Sequence, residues 1–326
     1  MNDSQVAGPQ LRLAVLDDWE GAAGDVVDWS SELPTVSVTI FTDHLASPRD
    51  LIERLTPFGA VMLMRERTPV PADVLTALPN LRLIVTTGMR NRALDVAAAS
   101  RNGVLVCGTQ GLQSPTPELT WSLILALARG IPQADASMRA GRWKPTVGMD
   151  LDGAVLGLVG LGRLGGQVAA VARAFQMELL AWSPHLTQDR AAACGARLVG
   201  KRELFAQSDV VSVHMVLSDS TRGLIGAAEI DAMKPTAFLV NTSRGALVDQ
   251  DALLRALADG GIAGAGLDVY GEEPLPADHP LRSAPRTVLT PHIGYVTART
   301  FATFYREAVQ DVQAYLDGNP VRVIEP

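Results

Sequence analysis

The stretch VLGLVGLGRLG, residues 155–165, decides most of what the sequence predicts about the fold. An unbroken apolar run leads into three glycines, Gly160, Gly162 and Gly165, in the pattern GxGxxG, and the helix-forming run QVAAVARAF follows. A buried strand, a tight turn and a helix in this order place bare backbone N–H groups at a helix N-terminus, where they can bind a pyrophosphate. The pattern alone is weak in a chain with 29 glycines, and a tight turn without a ligand is the alternative.

Short apolar runs alternate with helical patterns on both sides of this turn. Such alternation predicts the α/β class, with parallel sheets and crossover helices. The predicted strands cover residues 11–16, 36–41, 60–64, 81–87 and 104–107 before the turn, and 154–160, 178–182, 210–215, 237–242, 264–269 and 287–291 around and after it. The clearest predicted helices cover residues 47–55, 71–78, 117–140 with a break near 130–132, 249–259 and 297–316, and an apolar strand is predicted at 321–324.

Length and composition narrow the classes of protein. A chain of 326 residues favours two domains, and 47% hydrophobic with 19% charged residues is typical of a globular protein. The net charge of −7 argues against binding to nucleic acid or to an anionic membrane. The cysteines, Cys107 and Cys194, form no metal-binding pattern. The first ten residues do not resemble a signal peptide, and no apolar run is long enough for a membrane helix, so we expect a cytoplasmic protein.

The residue that follows the second strand of the glycine-turn unit bears on the choice of dinucleotide. An acidic residue about 20 positions after the glycines usually binds the ribose 2′-hydroxyl group of NAD. Here Ser183 follows the strand, and Ser183 would not repel the 2′-phosphate group of NADP. No arginine follows directly, since the nearest is Arg190. The sequence therefore leaves NAD and NADP both open.

Three charged side chains each come just after a predicted strand: Arg244, Glu273 and His292. The carboxyl ends of parallel strands share one edge of a sheet, where open α/β sheets bind their ligands. Arginine can bind a carboxylate through two hydrogen bonds, and a histidine beside a carboxylate can exchange a proton near neutral pH. Each residue alone could equally be an ordinary surface charge or a loop histidine.

Four segments in this order, VLGLVGLGRLG, VNTSRGALVDQDAL, GAGLDVYGEEPLP and TPHIG, resemble the D-isomer-specific 2-hydroxyacid dehydrogenases, which include D-phosphoglycerate dehydrogenase and the glyoxylate/hydroxypyruvate reductases. The resemblance implies two Rossmann-like, doubly wound domains with parallel sheets. A flavodoxin-like substrate domain would take residues 1–112 and 297–326, and an NAD(P)-binding domain, residues 113–296, would be inserted into it with the active site in the cleft. The family also implies a homodimer formed through the helical segment near 117–140.

The resemblance implies hydride transfer between C4 of the nicotinamide and C2 of a small anionic 2-hydroxy or 2-oxo acid. Arg244 would bind the substrate, His292 would be the acid/base, and Glu273, which directly precedes a proline, would be its partner rather than Glu272. Formate dehydrogenases of the family have glutamine at the position of Glu273, which disfavours formate oxidation. The implied cofactor-binding residues, with Asp268 at the nicotinamide amide, are Gly160, Gly162, Arg163, Leu164, Gly165, Ser183, His214, Thr242, Ser243, Asp268, His292 and Gly294.

The substrate loop departs from the family pattern. The family usually has GxGxDNxD, whose backbone amides receive the substrate carboxylate, whereas this chain has GMRNRALD, residues 88–95, with Arg90 and Arg92 at the second Gly and the Asp. We therefore expect Gly88, Met89, Arg90 and Arg65, together with Arg244, to bind substrate. One hypothesis is that Arg90, with Arg65 or Arg67, recognises an extra anionic group. The alternative is that Arg90 points to solvent or pairs with an acid.

Two other interpretations compete with a catalytic dehydrogenase. The family also contains a non-catalytic, NAD(H)-sensing corepressor, although this chain has no long extension of the kind that recruits partners. A glycine-turn domain could also bind a flavin or a methyl donor, but then Arg244, Glu273 and His292 would have no explanation.

Overall fold

The computed structural model describes residues 11–143 and 147–326, which divide into two compact units. Unit 1 holds the described residues up to Leu112 together with Val296–Pro326, and unit 2 spans Gln113–Tyr295. The start of the chain, residues 1–10, which the sequence suggested is not a signal peptide, lies outside the described residues.

Each unit is built on a parallel sheet, which confirms the predicted fold class of two parallel-sheet α/β domains. Within the described residues the sheet of unit 1 has the order β2-β1-β3-β4-β5 and that of unit 2 the order β12-β11-β10-β9-β6-β7-β8, and the neighbouring strands pair in parallel. The strands are β1 Leu11–Val15, β2 Val36–Ile40, β3 Ala60–Leu63, β4 Leu83–Thr86, β5 Leu105–Gly108, β6 Val155–Val159, β7 Glu178–Trp182, β8 Arg197–Leu198, β9 Val210–Val213, β10 Phe238–Asn241, β11 Gly264–Leu267 and β12 Thr287–Leu289.

Helices cover both faces of the sheets, which explains why central strands are buried at every position. Residues 60–63 of β3 and 83–86 of β4 are all buried, as expected for strands packed on two sides. The helices are α1 Ala22–Val26, α2 Trp29–Glu32, α3 Pro48–Leu55, α4 Ala72–Thr76, α5 Val96–Arg101, α6 Pro115–Arg129, α7 Ile131–Arg139, α8 Arg163–Ala174, α9 Gln188–Ala193, α10 Lys201–Gln207, α11 Ala227–Ile230, α12 Gln250–Asp259 and α13 Ala298–Leu316, with short 3₁₀ turns at Gly245–Leu247 and Pro280–Ser283.

One predicted element is different in the structure. Residues 321–324 were predicted to form a strand, but they make a single antiparallel bridge, between Val323 and Cys107 of β5. Its hydrogen bonds run from Gly108 N to Arg322 O (3.0 Å) and from Ile324 N to Val106 O (2.8 Å). Arg322 sits in the left-handed region (φ +49°), which turns the backbone away from a continuous ladder.

Candidate active site

The three charged residues of the sequence prediction follow three adjacent strands of unit 2. Arg244 comes after β10, Glu273 after β11 and His292 after β12, and these strands lie side by side in parallel. The loop after β10 packs directly on the loop after β11, since a Cβ atom at Gly245 would collide with the backbone of Tyr270. The carboxyl edge of this sheet therefore gathers a guanidinium, a carboxylate and an imidazole.

Glu273 and His292 form a direct pair. The distance from His292 Nδ1 to Glu273 Oε2 is 2.5 Å, and Tyr270 N donates to Glu273 Oε1 at 2.8 Å, so both carboxylate oxygens are engaged. An ionised carboxylate only accepts hydrogen bonds, so Nδ1 of His292 carries the proton of this bond and Nε2 faces away from the pair. The His292 side chain is 25% exposed, which leaves it accessible to a ligand.

Asp268 holds the loop that carries His292. It is fully buried, and it accepts hydrogen bonds from Thr290 Oγ1 (2.6 Å) and Ile293 N (2.8 Å) at Oδ1 and from Gly294 N (2.9 Å) at Oδ2. Burial raises the pKa of Asp268, against the lowering effect of these donors. The family resemblance gave Asp268 a contact with the nicotinamide amide, and the sequence analysis missed its hydrogen bonds to the His292 loop. The spacing of residues in the chain does not show which groups a carboxylate will bind.

The backbone around Arg244 is held by its neighbours. Asn241 donates from Nδ2 to Arg244 O (2.9 Å) and accepts from Ser243 N (3.0 Å), while Ser243 Oγ donates to Val213 O of β9 (2.8 Å). Arg244 Nη1 donates to Ser243 O at 2.7 Å. Thr242 is buried, and its hydroxyl bonds that of Thr120 on α6 (2.8 Å). Ser243 and Thr242 thus brace the strand end, and Asn241 is a supporting residue that the sequence analysis did not select.

The glycine turn between β6 and α8 has the form that a bound pyrophosphate requires. Gly160 has φ +99°, and a Cβ there would come within 2.6 Å of His214 O, so glycine is needed for packing. A Cβ at Gly162, by contrast, would meet no protein atom within 4 Å, so the space over the start of α8 is open. Arg163 is the exposed first residue of α8, Leu164 is half-buried beside it, and Gly165 packs against Gly160.

Two further predicted cofactor residues lie at the ends of β9 and β7. Burial lowers the pKa of His214 to about 4, so its ring is neutral near pH 7. Its ring nitrogen Nε2 lies 2.9 Å from Ser212 Oγ, but Nδ1 is buried and has no hydrogen-bond partner among the described residues. Ser183 is half-buried and directly follows β7, the position where NAD-binding proteins usually have an acidic residue. A buried polar atom without a partner and an open helix N-terminus fit a dinucleotide.

The predicted substrate residues of unit 1 also follow adjacent strands, β3 and β4. Arg65 lies against Gly88, since a Cβ there would collide with the guanidinium, and Arg65 Nη1 donates to Thr87 O at 3.3 Å. Met89 is 37% exposed and Arg90 is exposed beside it. Gly88 N, however, donates to Thr109 Oγ1 (3.1 Å), which the sequence could not show.

The described residues include neither a cluster suited to a metal ion nor a helix suited to crossing a membrane. Across residues 11–143 and 147–326 no group of three or more His, Cys, Asp or Glu side chains is arranged to hold a metal ion. In the same ranges no helix combines the length and apolar character that crossing a bilayer requires. Cys107 is buried, Cys194 is half-buried, and both are free thiols.

Comparisons with known proteins identify the family of this chain. The family model described as the NAD binding domain of D-isomer specific 2-hydroxyacid dehydrogenases matches residues 121–294. Glyoxylate reductase of Aeropyrum pernix is 38% identical over 76% of this chain and 77% of its own. D-3-phosphoglycerate dehydrogenase of Archaeoglobus fulgidus is 37% identical over 85% of this chain and 53% of its own. The chain thus spans about half the length of the D-3-phosphoglycerate dehydrogenases it matches.

Solved structures similar to this chain point to the same family. The crystal structure of a phosphoglycerate oxidoreductase from Vibrio cholerae has a TM-score of 0.90 and 36% identity, covering 94% of this chain and 99% of that one. The chain belongs to the D-isomer specific 2-hydroxyacid dehydrogenase family, which confirms the family suggested by the sequence motifs. It is an oxidoreductase with an NAD(P)-binding domain.

Proposed function

We propose that the chain is an NAD(P)-dependent D-2-hydroxyacid dehydrogenase that works as a 2-oxoacid reductase. The observation that carries the proposal is the His292–Glu273 pair, 2.5 Å apart, at the same sheet edge as Arg244 and the glycine turn. A proton donor, a carboxylate-binding cation and a dinucleotide cradle are the parts that reduction of a 2-oxo acid needs. The curated relatives described above are reductases and dehydrogenases, which favours catalysis over a corepressor role.

His292 is the proton donor in this mechanism. Glu273 accepts from Nδ1 and so fixes the ring, stabilises the imidazolium form and directs Nε2 to the carbonyl oxygen of the substrate. A bound nicotinamide supplies the two electrons and the hydrogen that reduce the carbonyl carbon. As negative charge grows on the carbonyl oxygen, His292 transfers its Nε2 proton there, and the product is the 2-hydroxy acid. In the reverse direction neutral His292 takes the hydroxyl proton.

Arg244 binds the substrate carboxylate and polarises the carbonyl group. A guanidinium offers two parallel N–H donors to a carboxylate, which fixes the orientation of the substrate as well as its position. The hydrogen bonds of Asn241 and Ser243 hold the Arg244 backbone, so that less conformational freedom is lost on binding.

Unit 2 takes the cofactor and unit 1 the substrate in this proposal. Gly160, Gly162 and Gly165 with the N-terminus of α8 would hold the pyrophosphate of NAD or NADP, and Nδ1 of His214 gives a further polar contact. The substrate class, a small anionic 2-oxo acid, is supported by the glyoxylate reductases among the relatives. Arg65, Gly88, Met89 and Arg90 are the substrate-binding residues of unit 1.

We also propose that the chain forms a homodimer through the helical segment near 117–140, which is α6 and α7. Apolar side chains there and just beyond it are unusually exposed: Ile131 is 54% exposed, Met138 55% and Trp143 88%. A row of exposed large apolar side chains is costly in water and is typical of a protein interface. A second copy of the chain is the partner that the family resemblance implies.

The direct test is a panel of 2-oxo acids, namely glyoxylate, hydroxypyruvate and phenylpyruvate, each with NADH and with NADPH. We expect at least one of these acids to cause oxidation of at least one reduced cofactor. The oxidation is measured as a fall in absorbance at the band of the reduced nicotinamide. No oxidation with any pairing, at protein concentrations where the cofactor is shown to bind, contradicts the proposal.

A further inference from the structure

The loop after β4 uses two of its backbone donors inside unit 1 and carries an arginine side chain at its tip. Gly88 N donates to Thr109 Oγ1 at 3.1 Å, and Ala93 N donates to Asn91 Oδ1 at 2.9 Å. These amides are therefore engaged within unit 1. At its tip the loop offers a donor of another kind, the guanidinium of Arg90, where the family pattern has glycine.

The loop is held firmly enough to present that side chain in a fixed place. Asn91 is only 8% exposed, and its Nδ2 donates to Arg65 O (2.7 Å) and to Thr86 Oγ1 (2.9 Å). A buried amide with both ends satisfied locks the turn between β4 and α5. Arg90 projects from this turn, is exposed, and makes no hydrogen bond or ion pair with another described residue. It is thus not neutralised by an acid within the part of the chain that the structure describes.

Positive and negative side chains are distributed unevenly along the carboxyl edge of the unit 1 sheet. On the β4 side, the guanidinium of Arg65 lies on Gly88, next to the loop that carries Arg90, and Arg65 Nε is 3.8 Å from Glu66 Oε2, so two arginines stand there with one carboxylate. On the β1 side, Arg67 is bound by Glu20 through two hydrogen bonds (2.9 and 2.6 Å) and donates to Asp17 O. The carboxylates of Asp17 and Asp18 are buried at the end of β1 as well. An anionic group is therefore favoured on the β4 side and disfavoured on the β1 side.

We propose that Arg90 is the specificity-determining residue of an anion subsite that, with Arg65, recognises a second acidic group on the substrate. The class of substrate is a 2-oxo acid with a distal carboxylate or phosphate, rather than one with an apolar substituent. The inference rests on the proposed function. Arg67 is not part of this subsite, because its Nη1 binds Asp17 O and Glu20 and its Nη2 binds Glu20.

Matched pairs of acids test the subsite. 2-Oxoglutarate and 2-oxopentanoate have equal chain length but differ in a distal carboxylate, and oxaloacetate and 2-oxobutanoate form a shorter pair. The measurement is the ratio of kcat/KM for the dianion to that for the monoanion, in the wild type, Arg90→Ala, Arg90→Lys and the control Arg92→Ala. Arg92 is an exposed arginine two positions further on with no ion pair among the described residues.

We expect the wild type to prefer the dianion in at least one pair, and Arg90→Ala to lower that ratio by about tenfold or more, since the variant loses the charge-assisted hydrogen bonds of the guanidinium to the distal anion. Arg90→Lys should keep part of the preference, and Arg92→Ala all of it. A wild type that prefers the monoanion in both pairs, or a ratio unchanged in Arg90→Ala, overturns the inference while reduction itself stands. Failure to reduce any 2-oxo acid, glyoxylate included, refutes the proposed function and this inference with it.

Discussion

His292 is held in an unusual backbone conformation for a residue with a side chain. Its φ is +55°, in the left-handed region, where a non-glycine residue costs on the order of 1–3 kcal/mol. The contacts of Asp268 with Thr290, Ile293 and Gly294 on both sides of His292 compensate for that cost. Strain that neighbouring contacts hold in place is common at functional sites, and here it aims the ring at Glu273.

The charge of Glu273 can be removed with little change in shape. Glu273→Gln keeps an acceptor for His292 Nδ1 but not the negative charge that stabilises imidazolium, so we expect kcat for reduction at pH 7 to fall by roughly 10²-fold or more. The KM for the reduced cofactor should stay within a factor of about two. Steady-state kinetics with saturating cofactor measure both quantities.

Glu272→Gln is the matched control, because Glu272 is the exposed neighbour in the same loop. Its kcat should equal that of the wild type. Equal losses in the two variants would mean that the loop, and not the pair, is sensitive to substitution.

Ser183 permits a test of cofactor selection. Ser183→Asp places a carboxylate after β7, where it attracts the ribose 2′-hydroxyl of NADH and repels the 2′-phosphate of NADPH. We expect kcat/KM for NADPH to fall at least about tenfold relative to that for NADH. Ser183→Asn, in which the side chain has the size of aspartate but no charge, should leave this ratio near the wild-type value. An equal loss of kcat/KM for both cofactors in Ser183→Asp would contradict the explanation.

Sequence patterns selected candidate site residues well where a motif contains them. They did poorly where the role of a residue depends on contacts with residues far away in the chain. Glu273 and His292 are 19 positions apart; the family resemblance implied that they are partners, but the spacing alone does not, because the adjacency of β11 and β12 brings them together. The hydrogen bond from Gly88 N to Thr109 joins residues 21 positions apart and removes a donor that the loop pattern suggested was available. No local pattern encodes such contacts, because they depend on strand order.

Among the elements, those with explicit capping signals were predicted best. Ser47 caps α3 with Pro48 in its first turn, and Asp249 accepts from Ala252 N (3.0 Å) at the start of α12, which ends at Gly260 in the left-handed conformation. Gly130 separates α6 from α7 at the predicted break. Some of the short elements, namely β8, α9 and α11, were missed, because they are too short to show a hydrophobic period.

The C-terminal segment is tied to α13 by a buried ion pair. Arg322 Nε donates to Asp311 Oδ1 at 3.0 Å, and Asp311 is fully buried, with Oδ2 lacking a hydrogen-bond partner among the described residues. Burial raises the pKa of Asp311 to about 7, although Arg322 opposes that change. Between pH 4 and pH 7 the native state therefore retains a proton on Asp311. The unfolded chain, in which the pKa of Asp311 is near 3.8, has lost that proton in the same pH range.

This retained proton makes the contribution of Asp311 to stability fall as the pH rises between those two pKa values. The free energy of unfolding of the wild type minus that of Asp311→Asn should fall by up to about 1.4 kcal/mol per pH unit from pH 4 to pH 7, and level off above it. Urea unfolding of both proteins at a series of pH values measures the difference. A difference that is constant with pH, or that rises, would contradict the assignment.

At the scale of the whole molecule, the exposed apolar side chains of Ile131 and Met138 on α7 and of Trp143 after it predict self-association. Met138→Asp places a charge among these side chains, and burying an unpaired charge costs several kcal/mol, so the dimer should dissociate to monomer. Light scattering coupled to size-exclusion chromatography gives the mass of each species. Leu316→Asp, on α13 and 40% exposed, is the control and should leave the mass unchanged. A wild type with the mass of a single 34.6 kDa chain would refute the proposed dimer.

The central claim is that His292, paired with Glu273, donates the proton in the reduction of a 2-oxo acid. The measurement is the turnover of His292→Ala with the best 2-oxo acid of the panel, together with the affinity of the same variant for NADH or NADPH by fluorescence titration. Loss of a general acid predicts a fall in kcat of about 10²–10⁴-fold, with cofactor affinity within roughly a factor of three of the wild type. Wild-type turnover in His292→Ala would contradict the account.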